Sequence, residues 1–450
     1  MVSVRRADAL EFCLVFGTLL LAGCSVKEKH LEPGVDASLI DASQPVDAPE
    51  FDGAPPVDAP AVDAALPVDA RAVDASSLDA AIDAMPPPDS AGVHIVPTFA
   101  ALATTCDTVA TTVFAVSAPV QLNTSSSPLC GVVAQSGAPE ICVLRYGSIS
   151  VSTAATLAVT GQRVIALIAD GDLTIDGTVD ASAVGVVDGP GSRGVSIGAG
   201  TGTGASTASN PAAVGETNLY GGGGAGGRTV GGSGSSATAA VNGDRMNGGA
   251  QITGAVDGPT IAGGTHPASN PSGSLGGGGG GAVVLISCRG TVSVTGTVAA
   301  NGGGGRPGAD VEPSVGNTVF TSGSGGGAGG VIVLQGAGVS VTGRVFANGG
   351  GGGSGAPIDN QSGTPGMDGQ SSMMSAAGGS LGNAGDGGRG GTAAVAPGIG
   401  SRPAGGGATS GGGGGSVGFI ATFTPVNVTP TVTPMEASPS VDANRILLTQ

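Results

Sequence analysis

Glycine constrains this chain more than any other residue. It supplies 88 of 450 residues, and 76 of those fall in the 232 residues from Gly185 to Ser416. A glycine content near one third suggests collagen, but a strict Gly-X-Y period is absent and proline is only 29 of 450. The nearest approach is the short run Gly379, Gly382, Gly385, Gly388 and Gly391. Glycine loses more backbone entropy on folding than any other residue and offers no side chain to pack. Such stretches therefore have two fates. They stay mobile as loops, or they lie extended with backbone packed on backbone, in the manner of polyglycine II, where close approach permits Cα–H···O contacts.

Between the glycine-rich stretches lies an internal repeat. Residues 164–182, 283–301, 330–348 and 417–434 align without gaps. Ile165, Val284, Val331 and Gly418 share one position, and Leu167, Ile286, Val333 and Ile420 share the next but one. Leu173, Val292, Val339 and Val426 open a second short run, and Gly177, Gly296, Gly343 and Pro430 turn the chain toward a third, marked by Val179, Val298, Val345 and Val432. Period-two alternation of β-branched residues cut by glycine describes short strands joined by tight turns. One such unit cannot bury its apolar face, whereas stacked copies can. The expected fold is therefore mainly β: parallel β-helix or solenoid-like repeats with long glycine-rich insertions over about 183–281, 302–329 and 349–416. Residues 149–151 and 157–159 read as a preceding rung. An antiparallel β-sandwich built from the same strands is the alternative.

The N-terminus reads differently. Arg5 and Arg6 precede an apolar run from Phe12 to Leu21 that is far too short to span a bilayer as a helix. Leu21-Ala22-Gly23-Cys24 resembles the bacterial lipobox, although Asp8 and Glu11 depart from the usual composition ahead of such a run. The resemblance implies a signal peptide over 1–23, cleavage before Cys24, and acylation of that cysteine. Ser25 then implies sorting to the outer membrane, with the periplasmic or surface face left open. Two or more acyl chains hold a protein firmly, at about 0.8 kcal/mol per buried methylene.

Residues 24–92 follow as a tether. Asp-Ala units recur at Asp36, Asp41, Asp47, Asp52, Asp58, Asp63, Asp69, Asp74, Asp79 and Asp83, interleaved with prolines. That spacing suits neither helix nor strand, and proline opposes both. A charged segment with little bulk apolar surface is expected to be extended and disordered, and nothing fixes its aspartates in calcium-binding geometry. The tether is similar to the Asp-Ala-Pro linkers of myxobacterial envelope lipoproteins. The body resembles β-helical surface adhesins and the glycine-rich tips of phage tail adhesins, which implies a structural or adhesive role.

Composition excludes several kinds of chemistry. Lys27 and Lys29 are the only lysines, so a P-loop cannot form in the body. A net charge of −17 with 2% aromatic residues removes both the basic footprint and the stacking platforms of nucleic-acid binding. His30, His94 and His266 lack zinc-ligand spacing. Two Gly-x-Ser-x-Gly strings, at Ser380 and Ser416, are expected by chance in such a composition and do not sit between a strand and a helix. The one carboxylate cluster is Asp170, Asp172, Asp176 and Asp180. Aspartates on adjacent rungs could pair as acid and base on a polysaccharide, but Asp176 alternates with Leu173 and Ile175 and so points outward. No cofactor or metal is expected.

An exported chain favours disulfides. Cys106, Cys130 and Cys142 lie close together ahead of the repeats, and Cys106–Cys130 or Cys130–Cys142 are the plausible bridges. Cys288 reads as a small buried hydrophobe. The expected organisation is a signal peptide (1–23), a lipid-anchored tether (24–92), an N-terminal β segment with cysteines (93–162), the glycine-rich repeat body (163–434) and a C-terminal tail (435–450). The expected function is a non-enzymatic envelope lipoprotein acting as a structural or adhesive scaffold. Its partners would be the membrane, through the anchor, and envelope polysaccharide, matrix or other surface proteins, but not nucleic acid. The alternative is a β-helical enzyme acting on polysaccharide.

Overall fold

The computed structural model describes residues 94–193, 220–235, 247–252, 260–267, 276–314, 317–357, 361–404, 408–446 and 448–449. All described residues belong to the unit Asp79–Gln450. Cys24, the expected signal peptide and the expected tether lie outside them.

The described body is mainly strand, and among the described residues there is no α-helix, only a single 3-10 turn at Ala100–Leu102. Three ladders of parallel pairs organise it. The first joins Ile141–Tyr146, Val164–Ala169, the opening halves of the long strands Ala282–Val294 and Val331–Val341, Phe419–Pro425 and Asp442–Ile446. The second joins Val113–Val116, Ser148–Val151, Leu173–Ile175, the closing halves of the two long strands, and Thr431–Val432. The third joins Val120–Asn123, Thr156–Thr160, Thr178–Asp180, Thr297–Ala299, Arg344–Phe346 and Glu436–Ser438. Because two strands run through both the first and second ladders, those ladders form one sheet, which with Gly131–Val133, antiparallel to Ile141–Tyr146, has eleven strands, and the third forms a six-stranded one. Every pairing between repeat copies is parallel, which is not the pairing of the antiparallel sandwich considered from sequence.

Several boundaries differ from the expected ones. The parallel register runs across residue 162 without a break, so 141–160 belongs with the repeats. The expected tail is built into the fold: Glu436–Ser438 and Asp442–Ile446 extend two ladders, and Leu448–Thr449 pairs antiparallel with His94–Ile95. The gapless alignment also fails at the corners. Ser287 pairs with Ala169 and Gly336, while Val292 pairs with Leu173 and Val339. Between these paired positions lie three residues in the first copy, four in the second and two in the third. In the last copy Val432 pairs with Val341 in the second ladder, not with Val345 in the third.

A one-residue shift moves a strand's side chains to the opposite face, and the expected inward ladder is divided accordingly. Leu167 and Ile420 enter the core enclosed by the ladders, with Leu285 and Ile332. Ile286 and Val333 face the other way, into a second apolar layer with Ile95, Phe99 and Leu102 of the N-terminal segment. Strands of the first ladder are therefore buried on both faces, which explains the unbroken apolar run VIALIA at Val164–Ala169. Each fully buried Leu or Ile contributes about 1.5–3 kcal/mol.

The described glycine-rich segments are ordered rods. Along 349–355 the N–H groups donate outward in a period of three. Gly349, Gly352 and Gly355 donate to the carbonyls of Gly391, Gly388 and Gly385 (3.0, 2.8 and 2.8 Å). Gly350 and Gly353 donate to Gly327 and Ser324, and Gly351 and Ser354 to Met367 and Thr364. In return Gly415 and Gly412 donate to Gly350 and Gly353, Gly305 and Gly308 to Gly351 and Ser354, and Gly379 to Gly352. One rod therefore touches six others. Three residues per turn with no internal bonds is polyproline II-type geometry, and here the free backbone groups bind neighbouring chains instead of water. The rod 323–330 repeats the pattern: Gly323, Gly326 and Gly329 donate to Ser410, Gly413 and Ser416, while Ser324, Gly327 and Gly330 donate to Arg306, Gly303 and Ala300. Between the two fates read from sequence, these segments take the packed one.

Sheet passes into rod at a polar corner. Asn301 N donates to Ser182 Oγ (3.0 Å), Asn348 N to Asn301 Oδ1 (2.9 Å), and Ser438 Oγ to Asn348 Oδ1 (2.5 Å). Asn301, Asn348 and Ser438 are buried. This ladder satisfies backbone groups where the third strand ends and the first glycines begin.

Candidate functional site

The acidic cluster is the one group of side chains that sequence marked for chemistry, and its four members part company in the fold. Asp170 follows the first-ladder strand, Asp176 follows the second-ladder strand, and Asp180 ends the third-ladder strand. Asp170 is nearly buried and sits between two guanidinium groups, Arg145 Nη2 at 2.6 Å and Arg289 Nη1 at 2.8 Å, with the N–H of Ala110 also donating to it. Asp172 Oδ1 accepts from Thr291 N (2.9 Å), Asp176 Oδ1 from Thr295 Oγ1 (2.5 Å), and Asp180 Oδ1 from Ser182 N (3.0 Å). Asp170, Asp172 and Asp176 thus bond one copy to the next, while Asp180 closes a local turn. An acid–base pair for glycoside cleavage needs two carboxyl groups facing one bond. Asp170 and Asp172 share the first corner, Asp176 stands at the second, and Asp180 closes the third-ladder strand.

The other marked residues are equally tied to structure. Ser416 is buried in the rods, where its hydroxyl meets Thr229 N and Oγ1 at 3.0 Å and donates to the carbonyl of Val417. The carbonyl of Ser380 accepts from Thr364 Oγ1. His94 Nε2 lies 3.0 Å from Asp107 Oδ1, and His266 Nδ1 is 2.9 Å from the carbonyl of Pro267. His30 lies outside the described residues. Among the described residues no group of three His, Cys, Asp or Glu side chains is placed to hold a metal.

The cysteines depart from the sequence reading in one respect. Cys130 is bonded to Cys142, but Cys106 is bonded to Cys288, across 182 residues of sequence. Cys288 is buried, as expected of it, in the outward apolar layer beneath Cys106. The sequence offered no signal for this partner, since the two become neighbours only when the segment ahead of the repeats folds back over the first ladder. Asn301, Asn348 and Gln335 also went unnoticed. The recurrence of Asn at the end of two copies was the available sign for the first two.

Two of the clefts among the described residues lie at the surface. One, of about 420 Å³, is lined by Ser125, Pro139, Glu140, Gln162, Arg163 and Ser192, and within it Arg163 Nε donates to Glu140 Oε2 at 2.7 Å. The other, of about 460 Å³, is a shallow apolar notch beside Met373, Val432, Met435 and Val441.

Burial displaces two titrating groups from their ordinary ranges, Arg193 downward and Asp188 upward. Burial pushes the Asp188 carboxyl up, while the nearby His266 and the Gly279 N–H (2.7 Å from Oδ1) pull it back. A carboxyl whose folded pKa exceeds its unfolded one binds more protons when folded, so stability falls as pH rises through that window. Asp188→Asn retains an oxygen for Gly279, and the variant is expected to lose this part of the pH slope. The check is thermal unfolding of both proteins from acid to neutral pH. Parallel stability curves would remove Asp188 as the cause.

Comparison with protein-family models, with curated proteins and with solved structures finds no match to this chain.

Proposed function

We propose that the chain is an anchored, non-enzymatic envelope lipoprotein, whose body is a parallel β-helix carrying a bundle of glycine rods and serves as a structural or adhesive scaffold. The parallel register of the three ladders, visited in turn by each copy, supports the β-helical part of this reading. The observation that carries the scaffold role is the rod bundle. A body whose interior is backbone on backbone is stiff in every direction across the rods and places almost no reactive side chain within them. The engagement of all four cluster aspartates in structural bonds favours the same reading over the enzymatic one.

The anchored part rests on Leu21-Ala22-Gly23-Cys24, and the outer membrane is the proposed location. Cys24→Ser is expected to move the protein from the membrane fraction to the soluble one, because acylation is the proposed attachment. Membrane retention of that variant after a high-salt wash would refute the anchor. Protease shaving of intact cells then tests display: loss of the body on whole cells supports a surface scaffold, and protection until the outer membrane is opened places it on the periplasmic side.

A further inference from the structure

Residues 94–112 form a strap across the outer side of the first ladder, and its fastenings are unusually numerous for so short a segment. His94 and Ile95 pair with Thr449 and Leu448. Phe99 and Leu102 are fully buried against the outward layer of the ladder. The buried side chain of Gln335 accepts from Thr98 N (3.1 Å) and donates to the carbonyl of Val96 (2.8 Å). Arg289 Nη2 donates to the carbonyl of Cys106 (3.1 Å), Arg145 Nη2 to that of Thr108, and Ala110 N donates to Asp170. The Cys106–Cys288 bond lies among them.

These fastenings do not fall on one strand. Asp170 follows the first copy's strand, Cys288 and Arg289 lie in the second copy's, Gln335 is in the third copy's, and Arg145 is in the strand before them all. The strap thus crosses the stack and joins four successive strands of the ladder. Any pull arriving through the chain ahead of residue 94 is transmitted by covalent connection to this strap. Without it the pull would fall first on Val113–Val116 and Val120–Asn123, which have a ladder partner on one side only and would peel off strand by strand.

We propose that the strap is a mechanical junction, which transfers tension from the preceding segment into the middle of the ladder and protects the end strands from peeling. Its biological use rests on the anchored reading above. The Cys106–Cys288 bond takes residues 107–287 out of the path of the load. The Arg145–Asp170–Arg289 group, with its carboxylate buried, and the buried Gln335 hold the strap flat against the strands on either side of that bond, so that it is loaded along its length. With the bond closed, the 182-residue separation between the two cysteines contributes nothing to extension. At about 3.3–3.6 Å per extended residue, roughly 600 Å of contour length stays hidden.

Single-molecule pulling of the purified chain, held at its N-terminal segment and its C-terminus, tests the proposal. The oxidised protein is expected to extend about 600 Å less than the protein reduced with a small thiol before pulling, and Cys106→Ala/Cys288→Ala should come within about 40 Å of the reduced form, the difference being the loop that Cys130–Cys142 still closes. Equal lengths for oxidised and reduced protein would overturn the lock. In the Cys106→Ala/Cys288→Ala background, Gln335→Ala and Asp170→Asn should each lower the force of the first rupture; unchanged force in both would overturn the junction. If that double variant does not fold, the same two substitutions are read in the reduced wild type. The assay does not depend on acylation, so failure here leaves the anchor standing, and failure of the Cys24→Ser fractionation leaves this result standing.

Discussion

Gly352→Ala is expected to destabilise the body by about 3 kcal/mol or more, an effect far beyond that of a usual glycine-to-alanine change. A Cβ on Gly352 would lie 2.3 Å from the carbonyl oxygen of Gly412, and the same methyl would approach the backbone of Gly413. No rotamer relieves such a clash, because both partners are main chain. The surrounding rods are themselves held on several sides, so the methyl cannot be accommodated by moving one neighbour. Gly131→Ala is the comparison. There a Cβ meets the oxygen of Val143 at 3.4 Å, an ordinary contact, and alanine should cost little. Thermal or denaturant unfolding of the two variants measures the difference. If both unfold like the wild type, the rods are not closely packed and the bundle described above is wrong.

Ile286→Asp is expected to cost about 4 kcal/mol or more. Its side chain is fully buried in the apolar layer between the first ladder and the strap. The charge would be buried unpaired, or the strap would lift to let water reach it. Asp176→Asn, in contrast, keeps an oxygen for the Thr295 hydroxyl and should change stability by no more than about 0.5 kcal/mol. Unfolding midpoints of the two variants, beside a glycan-degradation screen of the wild type, separate two questions. A stable Ile286→Asp would contradict the doubly buried ladder. Wild-type glycan cleavage that disappears in Asp176→Asn would overturn the scaffold reading and favour a polysaccharide-active enzyme.

The two substitutions also mark where reasoning from the repeat went astray. Ile286 was expected to share a ladder with Leu167, and the aligned rows support that pairing. In the fold Leu167 pairs with Leu285, and Ile286 pairs with Ile168 and Gln335. A corner may gain or lose one residue without disturbing the strands it joins, so the count between strands carries no guarantee of register. In a strand buried on both faces the error is invisible to hydrophobicity, because either register places an apolar residue at every position. The fourth copy shows the same effect on a larger scale. Its Val432 matches the consensus of the third ladder and sits in the second, since the loop after Pro425 is longer than in the other copies.

What the sequence determined by itself is the local alphabet of this protein. Alternating β-branched residues cut by glycine specify short strands, recurring copies specify that they stack, and glycine runs without side chains restrict their own packing to backbone contacts or none. These are short-range consequences of side-chain volume and backbone freedom, and they are legible in any window of ten or twenty residues. The tertiary structure decided everything that depends on distant residues meeting. It paired Cys106 with Cys288, turned Asp170 from an apparent catalytic candidate into the centre of an Arg145–Asp170–Arg289 group, and drew 436–438 and 442–446 into the ladders. It also chose, for the described glycine segments, the packed rod over the mobile loop. A single glycine rod has no internal hydrogen bonds to stabilise it. Only when other rods surround it are its N–H and carbonyl groups all answered, and that condition belongs to the assembled fold and to no segment of the chain.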